Sequence, residues 1–164
     1  MANRMMSAVT GTVRRRLGRV LHRRNAPPLS DRYPGDFRGT VEIRYAPHPD
    51  GEPDPGEIVW AWVPYEEDHS KGKDRPVLLV GHDGPWLLGL QLTSQDHDRD
   101  AEQERRAGRI WVDIGAGAWD SRGRESEARV NRIVRIDPRS IRREGAVLAR
   151  EIFEQVAAAV RRHG

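Results

Sequence analysis

Short runs rich in β-branched and aromatic residues follow one another between residues 57 and 136, and they constrain the fold more than any other feature of the sequence. Each run has five to eight residues, which is typical of strands and short for a helix. Turn signals separate them, among them Pro64 and the His82-Asp83-Gly84-Pro85 tetrapeptide. The runs occupy residues 57–63, 77–81, 86–92, 109–114 and 129–136. Five short strands with polar connections predict a small β-barrel, in a mainly β fold with some α-helix.

A proline-rich segment precedes the runs. Residues 25–56 contain seven of the eleven prolines, and proline denies the backbone the hydrogen bonds of helices and central strands. Within it, Val41, Ile43 and Tyr45 alternate with polar residues, which predicts one edge strand. We therefore expect a basic tail over residues 1–30, a lead-in over 31–54 and the barrel over 55–164.

Two helices are predicted after the last run. Asp137 followed by Pro138 is typical of a helix start and predicts a short helix through Glu144, which Gly145 ends. An apolar stripe then predicts a final helix that closes one mouth of the barrel. The stripe consists of Leu148, Ile152, Val156 and Val160.

Positive charge is concentrated in the tail. Residues 1–30 hold seven of the 28 basic residues and none of the 25 acids, so residues 31–164 keep 21 basic and 25 acidic side chains. Any affinity of the barrel for RNA must therefore come from a local patch. Apolar residues recur every fourth position in the tail, which indicates either a basic amphipathic helix over residues 1–24 with weak contact to a membrane surface, or a disordered leader.

Several classes of protein are excluded by composition. The chain has no cysteine, so it has no disulfide or thiolate metal site, which fits a reducing cytoplasm. No stretch approaches the roughly 20 apolar residues of a membrane span, and the tail lacks the apolar core of a secretory signal. Two long polar loops are predicted, 65–74 and 94–108. The second contains Asp96, His97, Asp98 and Asp100 among arginines, which favours a solvated loop over a metal site, so we expect neither metal nor cofactor.

Four segments occur in an order and spacing that resemble the MazF/PemK family of toxin endoribonucleases. They are PGEIVW at 55–60, GKDRPVLLV at 72–80, LQLTS at 90–94 and RVNR at 129–132. The resemblance implies an SH3-like barrel of about five to seven strands, homodimerisation, and RNA and DNA binding. It also implies metal-independent cleavage of single-stranded RNA and a cognate antitoxin protein as partner.

Cleavage of RNA without a metal requires attack of the ribose 2′-hydroxyl on the neighbouring phosphate. The site then needs a proton acceptor, a proton donor and cations for the phosphorane. Arg75 matches the active-site arginine of the family, and its guanidinium offers a fixed fork of donors to phosphate. Thr93 and Ser94 match the Thr-Ser step at a strand end, and Arg129 matches an arginine that acts as acid or phosphate ligand in the PemK branch.

The proton acceptor is less clearly marked. Asn131 stands where the family carries an acid, and an amide cannot act as a general base. The acids of the first long loop lie before His69, further from Arg75 than the family's glutamate. His69 is therefore a candidate base, because histidine titrates near neutral pH. Glu67 and Asp68 are competitors for this role.

Further residues are predicted to bind RNA. Lys71 and Lys73 are the two lysines of the chain and lie beside Arg75, while Asn131 and Trp86 are candidates for base contacts. Trp119 is a second stacking candidate, whereas Trp60 and Trp62 are expected in the core. If no group serves as the base, the alternative function is a non-catalytic barrel that binds nucleic acid or an antitoxin-like protein.

Overall fold

The computed structural model describes residues 33–48, 51–94 and 107–163. The predicted tail helix and most of the 94–108 loop lie outside these residues. Seven strands are formed in the described part of the chain, with a 3-10 turn at Pro138–Ser140 between the last two and one α-helix at its end. The strands are β1 (Glu57–Pro64), β2 (Gly72–Asp83), β3 (Trp86–Ser94), β4 (Trp111–Gly115), β5 (Ser126–Arg129), β6 (Val134–Ile136) and β7 (Arg143–Val147), and the helix is α1 (Arg150–His163).

The strands form one curled antiparallel sheet in the order β4-β5-β3-β2-β1-β7, with β6 paired to β3. Strand β3 is central because it pairs with β2 along one side, and with β6 and then β5 along the other. Extra residues shift the register between β2 and β3 and between β1 and β7, and such bulges increase the bend of a sheet. This is a small SH3-like barrel with a C-terminal helix, as predicted.

Side chains alternate between two cores because successive residues of a strand point to opposite faces. The first core contains Ile58, Leu78 and Leu90, and α1 covers it with Phe153 and Val156. The second, smaller core lies on the opposite face and consists of Val59, Ala61, Val63, Val77, Leu79, Leu87, Val134 and Ile136. The apolar stripe predicted for the final helix is confirmed, and the polar residues that matter below extend the second face.

The lead-in packs against the first core. Phe37, Val41, Ile43 and Tyr45 are partly buried there, and the Tyr45 hydroxyl donates to the carbonyl of Leu148 at 2.7 Å. The predicted edge strand is wrong, since residues 40–45 form no strand. Its backbone bonds to the sheet at single points and not as a ladder: the Arg44 amide donates to the carbonyl of Val80, which is the extra residue of the β2–β3 bulge.

The predicted helix through Glu144 is also wrong. Asp137 does cap a turn, accepting from the Arg139 amide at 2.9 Å, but only the 3-10 turn follows. The chain then forms β7, which covers the open edge of β1. Gly145 is the extra residue where the β1–β7 register shifts, rather than a helix stop. The run 129–136 is likewise not one strand: it contains the last residue of β5, a bend and the whole of β6.

Among the described residues, no helix has both the length and the apolar character needed to cross a membrane.

Candidate active site

Strand register brings Arg75 and Thr93 to the same end of the second face. Val77 of β2 is opposite Gln91 of β3, and the same register carried two residues further places Arg75 level with Thr93. Thr93 is in turn opposite Glu127 of β5. Arg129 lies two residues beyond Glu127 and therefore on the same face. The motif residues of β2, β3 and β5 therefore lie on the same face, toward the same end of the sheet.

Arg75 is half-buried and has an unusual electrostatic position. Burial lowers the pKa of Arg75, the charge of Arg132 lowers it further, and Tyr65 and Glu67 oppose this shift. The guanidinium nevertheless remains charged near neutral pH, because an arginine side chain is not deprotonated in proteins. Within the described ranges, no hydrogen bond or ion pair engages this guanidinium. A desolvated cation without a partner is costly, and its donors are available to a ligand.

In contrast, Arg129 is buried, and each of its three guanidinium nitrogens donates a hydrogen bond. Its two terminal nitrogens donate to the two carboxylate oxygens of Glu66 at 3.1 and 3.3 Å, and its Nε donates to Oδ1 of Asn131 at 2.6 Å. Burial alone would raise the pKa of Glu66, but Arg129, Arg132 and Arg109 hold it below its ordinary value of 4.5. Glu66 is therefore an ionised carboxylate near neutral pH.

The turn between β1 and β2 places Glu66 against Arg129. The Tyr65 amide donates to the Lys71 carbonyl, and the amides of Asp68 and Lys71 make further bonds inside the turn. Asp68 also accepts from the amide and hydroxyl of Ser70. The predicted long loop 65–74 is consequently a tight, hydrogen-bonded turn, since β2 already begins at Gly72.

Arg132 is a buried arginine that ties the lead-in to the barrel. It donates to both oxygens of Asp36 at 2.9 and 3.2 Å, to Gln91 at 2.7 Å and to the Pro64 carbonyl at 2.8 Å. Burial would raise the pKa of Asp36, but the bonds from Arg132 and Tyr33 hold it below 3.8. Burial raises the pKa of Tyr33, which stays protonated and donates to Asp36 at 2.7 Å. These bonds join the lead-in to the barrel, and the charge of Arg132 also acts on Arg75.

His69 lies at the lead-in and not at Arg75 or Thr93. Its ring packs edge-on against Tyr33 at 5.0 Å, and its Nε2 is 3.9 Å from Oδ1 of Asp36. Asn131 uses its amide within the protein, because Oδ1 accepts from Arg129 and from the Ile110 amide and Nδ2 donates to the Gly108 carbonyl. The roles predicted for both residues stay predictions.

The remaining candidates divide by position. Lys73 is exposed and lies two residues before Arg75 on the same face, Lys71 is exposed in the turn, and Ser94 pairs with Ser126 at the end of β3. Trp86 begins β3, seven residues and roughly 23 Å along the strand from Thr93, so it lies apart from the cluster.

Two expectations for tryptophans are wrong. Trp119 is 3% exposed and donates to Ser126 Oγ at 3.0 Å, so it belongs to the first core and offers no stacking surface. Trp62 is 41% exposed; it lies toward the end of β1, opposite Asp74, on the face that carries Ile58 and not on the second face with Ala61 and Val63. Trp60 is half-buried, and its Nε1 donates to the Trp119 carbonyl at 2.9 Å.

Glu66, Arg132 and Asp36 were not predicted as site residues. The sequence carries one signal for Glu66. It stands two residues after Pro64, where a strand ends, so a tight turn would leave it at the end of the sheet where the strand of Arg75 begins. Asp36 and Arg132 are 96 residues apart, and no local pattern indicates their pairing.

The described residues thus define a small SH3-like barrel with an arginine-rich, acid-lined cluster at one end of its second face. Comparison with protein families matches residues 54–163 to the family described as PemK-like, MazF-like toxin of type II toxin-antitoxin system. The match spans about two thirds of the chain, and the chain belongs to this family. The predicted family is confirmed. No curated protein gives a significant match.

Proposed function

We propose that this toxin is an endoribonuclease that cleaves single-stranded mRNA in the cytoplasm without a metal ion. The observation that carries the proposal is Arg75. It is half-buried, its charge is retained, and no hydrogen bond or ion pair in the described ranges engages it, while the neighbouring Arg129 and Arg132 are engaged by carboxylates. A charged guanidinium with open donors, on the same face of the sheet as Thr93, suits a phosphodiester.

The reaction assigned to this cluster forms the 2′-oxygen to phosphorus bond and breaks the bond from phosphorus to the 5′-oxygen. The 2′-hydroxyl proton passes to a base, and the departing 5′-oxygen takes up a proton, which leaves a 2′,3′-cyclic phosphate and a 5′-hydroxyl. Arg75 stabilises the phosphorane, and Thr93 donates a hydrogen bond to it. Arg129 holds the Glu66 carboxylate, whereas Ser94, the next residue of β3, lies on the face opposite to Thr93 and pairs with Ser126.

Asp68 is exposed and accepts from Ser70 within the turn, which leaves Glu66, Glu67 and His69 as candidates for the role of base. Glu66 is favoured, because the two-point bond from Arg129 fixes its carboxylate and keeps it ionised at neutral pH. His69 remains the alternative, but it lies against Tyr33 and Asp36. The two assignments differ in pH dependence, since a carboxylate base stays active in acid where a histidine base does not.

We expect kcat/KM for RNA cleavage to stay nearly constant from about pH 7 down to about pH 5. The pKa of Glu66 is held below 4.5, so the active, deprotonated form is retained until the pH falls below that value. A histidine base would instead lose activity as the pH falls through about 6.5. Glu66→Gln should lower kcat by roughly 100-fold or more. Asp68→Asn is the matched control, as an exposed acid of the same turn. A rate that drops between about pH 7 and 6 would transfer the role to His69.

The cleavage itself is tested with the full chain and a mixed single-stranded RNA in EDTA, with the new ends mapped. We expect cyclic-phosphate and 5′-hydroxyl ends at defined sequences. RNA that is bound but stays intact would support the alternative function, a non-catalytic barrel that binds nucleic acid. RNA that is neither bound nor cut would leave protein binding as the function of the barrel.

Further proposals concern partners and recognition. Membership of the family gives the protein a cognate antitoxin as its partner. We propose homodimerisation, which the resemblance implies, and RNA contacts by Lys71 and Lys73, two exposed lysines that lie four and two residues before Arg75 in the chain. Asn131 and Trp86 are proposed to contribute to base recognition, and residues 1–24 to make weak contact with a membrane surface.

A further inference from the structure

A cavity of about 430 Å³ lies between the lead-in and the β1–β2 turn. Its volume is sufficient for one nucleotide unit. Four of the lining residues belong to the lead-in and precede residue 54, where the family match begins. This side of the cavity therefore lies outside the matched barrel. The lining residues are Pro34, Gly35, Asp36, Arg38, Glu66, His69 and Arg135.

The charges around the cavity leave a cation in excess. The charge of each lining acid is compensated by a buried arginine: Asp36 pairs with Arg132 and Glu66 with Arg129. Of the two lining arginines, Arg135 pairs with Asp83 at 3.1 Å. Arg38 is exposed and has no ion pair or hydrogen bond within the described part of the chain. An anion that enters the cavity therefore meets a free guanidinium and acids whose charge is already compensated.

Two buried nitrogens of the lining also lack acceptors. Nε of Arg135 and Nε2 of His69 are buried without a hydrogen-bond partner among the described residues. The other donors of Arg135 are used, by the Gly35 carbonyl at 2.9 Å and by Asp83. Buried polar atoms are nearly always bonded in proteins, and exceptions call for a functional reason. Both nitrogens are closed off from solvent, so the donor that the cavity offers to a ligand is the exposed guanidinium of Arg38.

The cavity adjoins the candidate active site through one side chain. Glu66 lines the cavity and at the same time accepts both bonds of Arg129. A strand whose reacting phosphate lies at Arg75 and Thr93 would thus pass Glu66 before it reaches Arg38. We propose that this cavity binds one phosphodiester of the RNA on one side of the cut, held by the exposed guanidinium of Arg38. This proposal rests on the proposed function.

The test uses single-stranded 2′-O-methyl RNA of mixed sequence, which cannot be cleaved because its 2′-oxygen carries no proton. Affinity is measured by fluorescence anisotropy over a series of salt concentrations. Arg38→Ala should raise Kd roughly fivefold at low salt, as a charge-assisted contact is lost. It should also reduce the slope of log Kd against log salt by about 0.7, the value for one phosphate of a single strand.

Arg44→Ala is the matched control. Arg44 belongs to the same lead-in, is exposed, and pairs with Glu42 away from the cavity lining, so its removal should leave the slope unchanged. A general loss of positive charge would instead lower the slope equally in both variants, and that result would overturn the proposal.

A single neutral methylphosphonate, moved along the RNA, locates the contact. At one position it should weaken binding to the parent protein by a similar factor and cause no added loss in Arg38→Ala. Binding of inorganic phosphate with an unchanged RNA slope in Arg38→Ala would make the cavity a small-anion site and contradict the proposal. If the parent protein binds no RNA, the proposed function fails as well. If the parent binds RNA and Arg38→Ala matches it, only the cavity proposal fails.

Discussion

Replacing Arg75 with alanine is expected to lower kcat/KM for RNA cleavage by at least about 100-fold without loss of stability. The guanidinium faces the phosphorane in the proposed reaction, and removal of one such donor typically costs a factor of 100 to 1,000, or about 3 to 4 kcal/mol. Stability should change little, because the side chain makes no hydrogen bond or ion pair in the described ranges that alanine would remove. We expect the free energy of unfolding to change by less than about 1 kcal/mol.

The controls separate charge from geometry. Arg75→Lys keeps a cation but loses the planar fork, so it should recover only part of the rate. Arg161→Ala removes an exposed arginine from the last turn of α1, which covers the first core on the opposite face of the sheet, and should leave cleavage unchanged. Initial rates on a mapped substrate, together with urea denaturation, provide both measurements. Equal cleavage by Arg75→Ala and the parent would remove Arg75 from the reaction.

The parts of the fold that follow from local sequence were predictable. The strand runs before residue 115 and the final helix were found because both signals are local: short runs rich in β-branched and aromatic residues, and an apolar residue at every fourth position. Strand β7 was missed, because its identity depends on the open edge of β1, and Asp137-Pro138 starts a 3-10 turn as readily as a helix. Pairing with β1 determines the structure of the segment that forms β7, and its own secondary-structure propensity does not.

The candidate site divides in the same way. Arg75 and Thr93 were found from motifs and are placed level by the β2–β3 register. The ion pairs around them were not predictable, since Glu66 and Arg129 are 63 residues apart and Asp36 and Arg132 are 96 apart. Charged residues at such separations have many possible partners in a chain with 28 basic and 25 acidic side chains. The strand register of the folded protein determines which of these possible partners meet.

One consequence of these pairs is that the lead-in is joined to the matched barrel by a buried charge and not only by apolar contacts. Asp36 and the partly buried Phe37 lie before the family match, yet Asp36 engages Arg132 inside it and the Phe37 amide donates to the Ile133 carbonyl at 2.9 Å. The lead-in should therefore unfold together with the barrel. This expectation can be tested by breaking the charge pair alone.

Asp36→Asn is expected to lower the free energy of unfolding by about 3 kcal/mol and the melting temperature by roughly 10 °C. The change leaves Arg132, whose side chain is 4% exposed, without its carboxylate. Asp36 itself is 18% exposed, which places the cost at the low end of the range for buried pairs. Glu42→Gln is the matched control: it removes an exposed pair with Arg44 in the same segment and should cost less than about 1 kcal/mol.

The pH dependence of the stability difference between Asp36→Asn and the parent provides a second, independent test. The pKa of Asp36 is held below 3.8 in the folded protein, so the contribution of the pair is fully present above that pH and is lost as the pH falls through the lowered value. Urea denaturation of the parent and of Asp36→Asn should therefore converge below pH 3.8 and remain apart near pH 7. A difference that persists in acid would assign the loss to the Tyr33 hydrogen bond or to packing. Equal effects of Asp36→Asn and Glu42→Gln at neutral pH would mean that the lead-in is not part of the cooperative fold, because only a docked lead-in places the Asp36 carboxylate on a buried arginine.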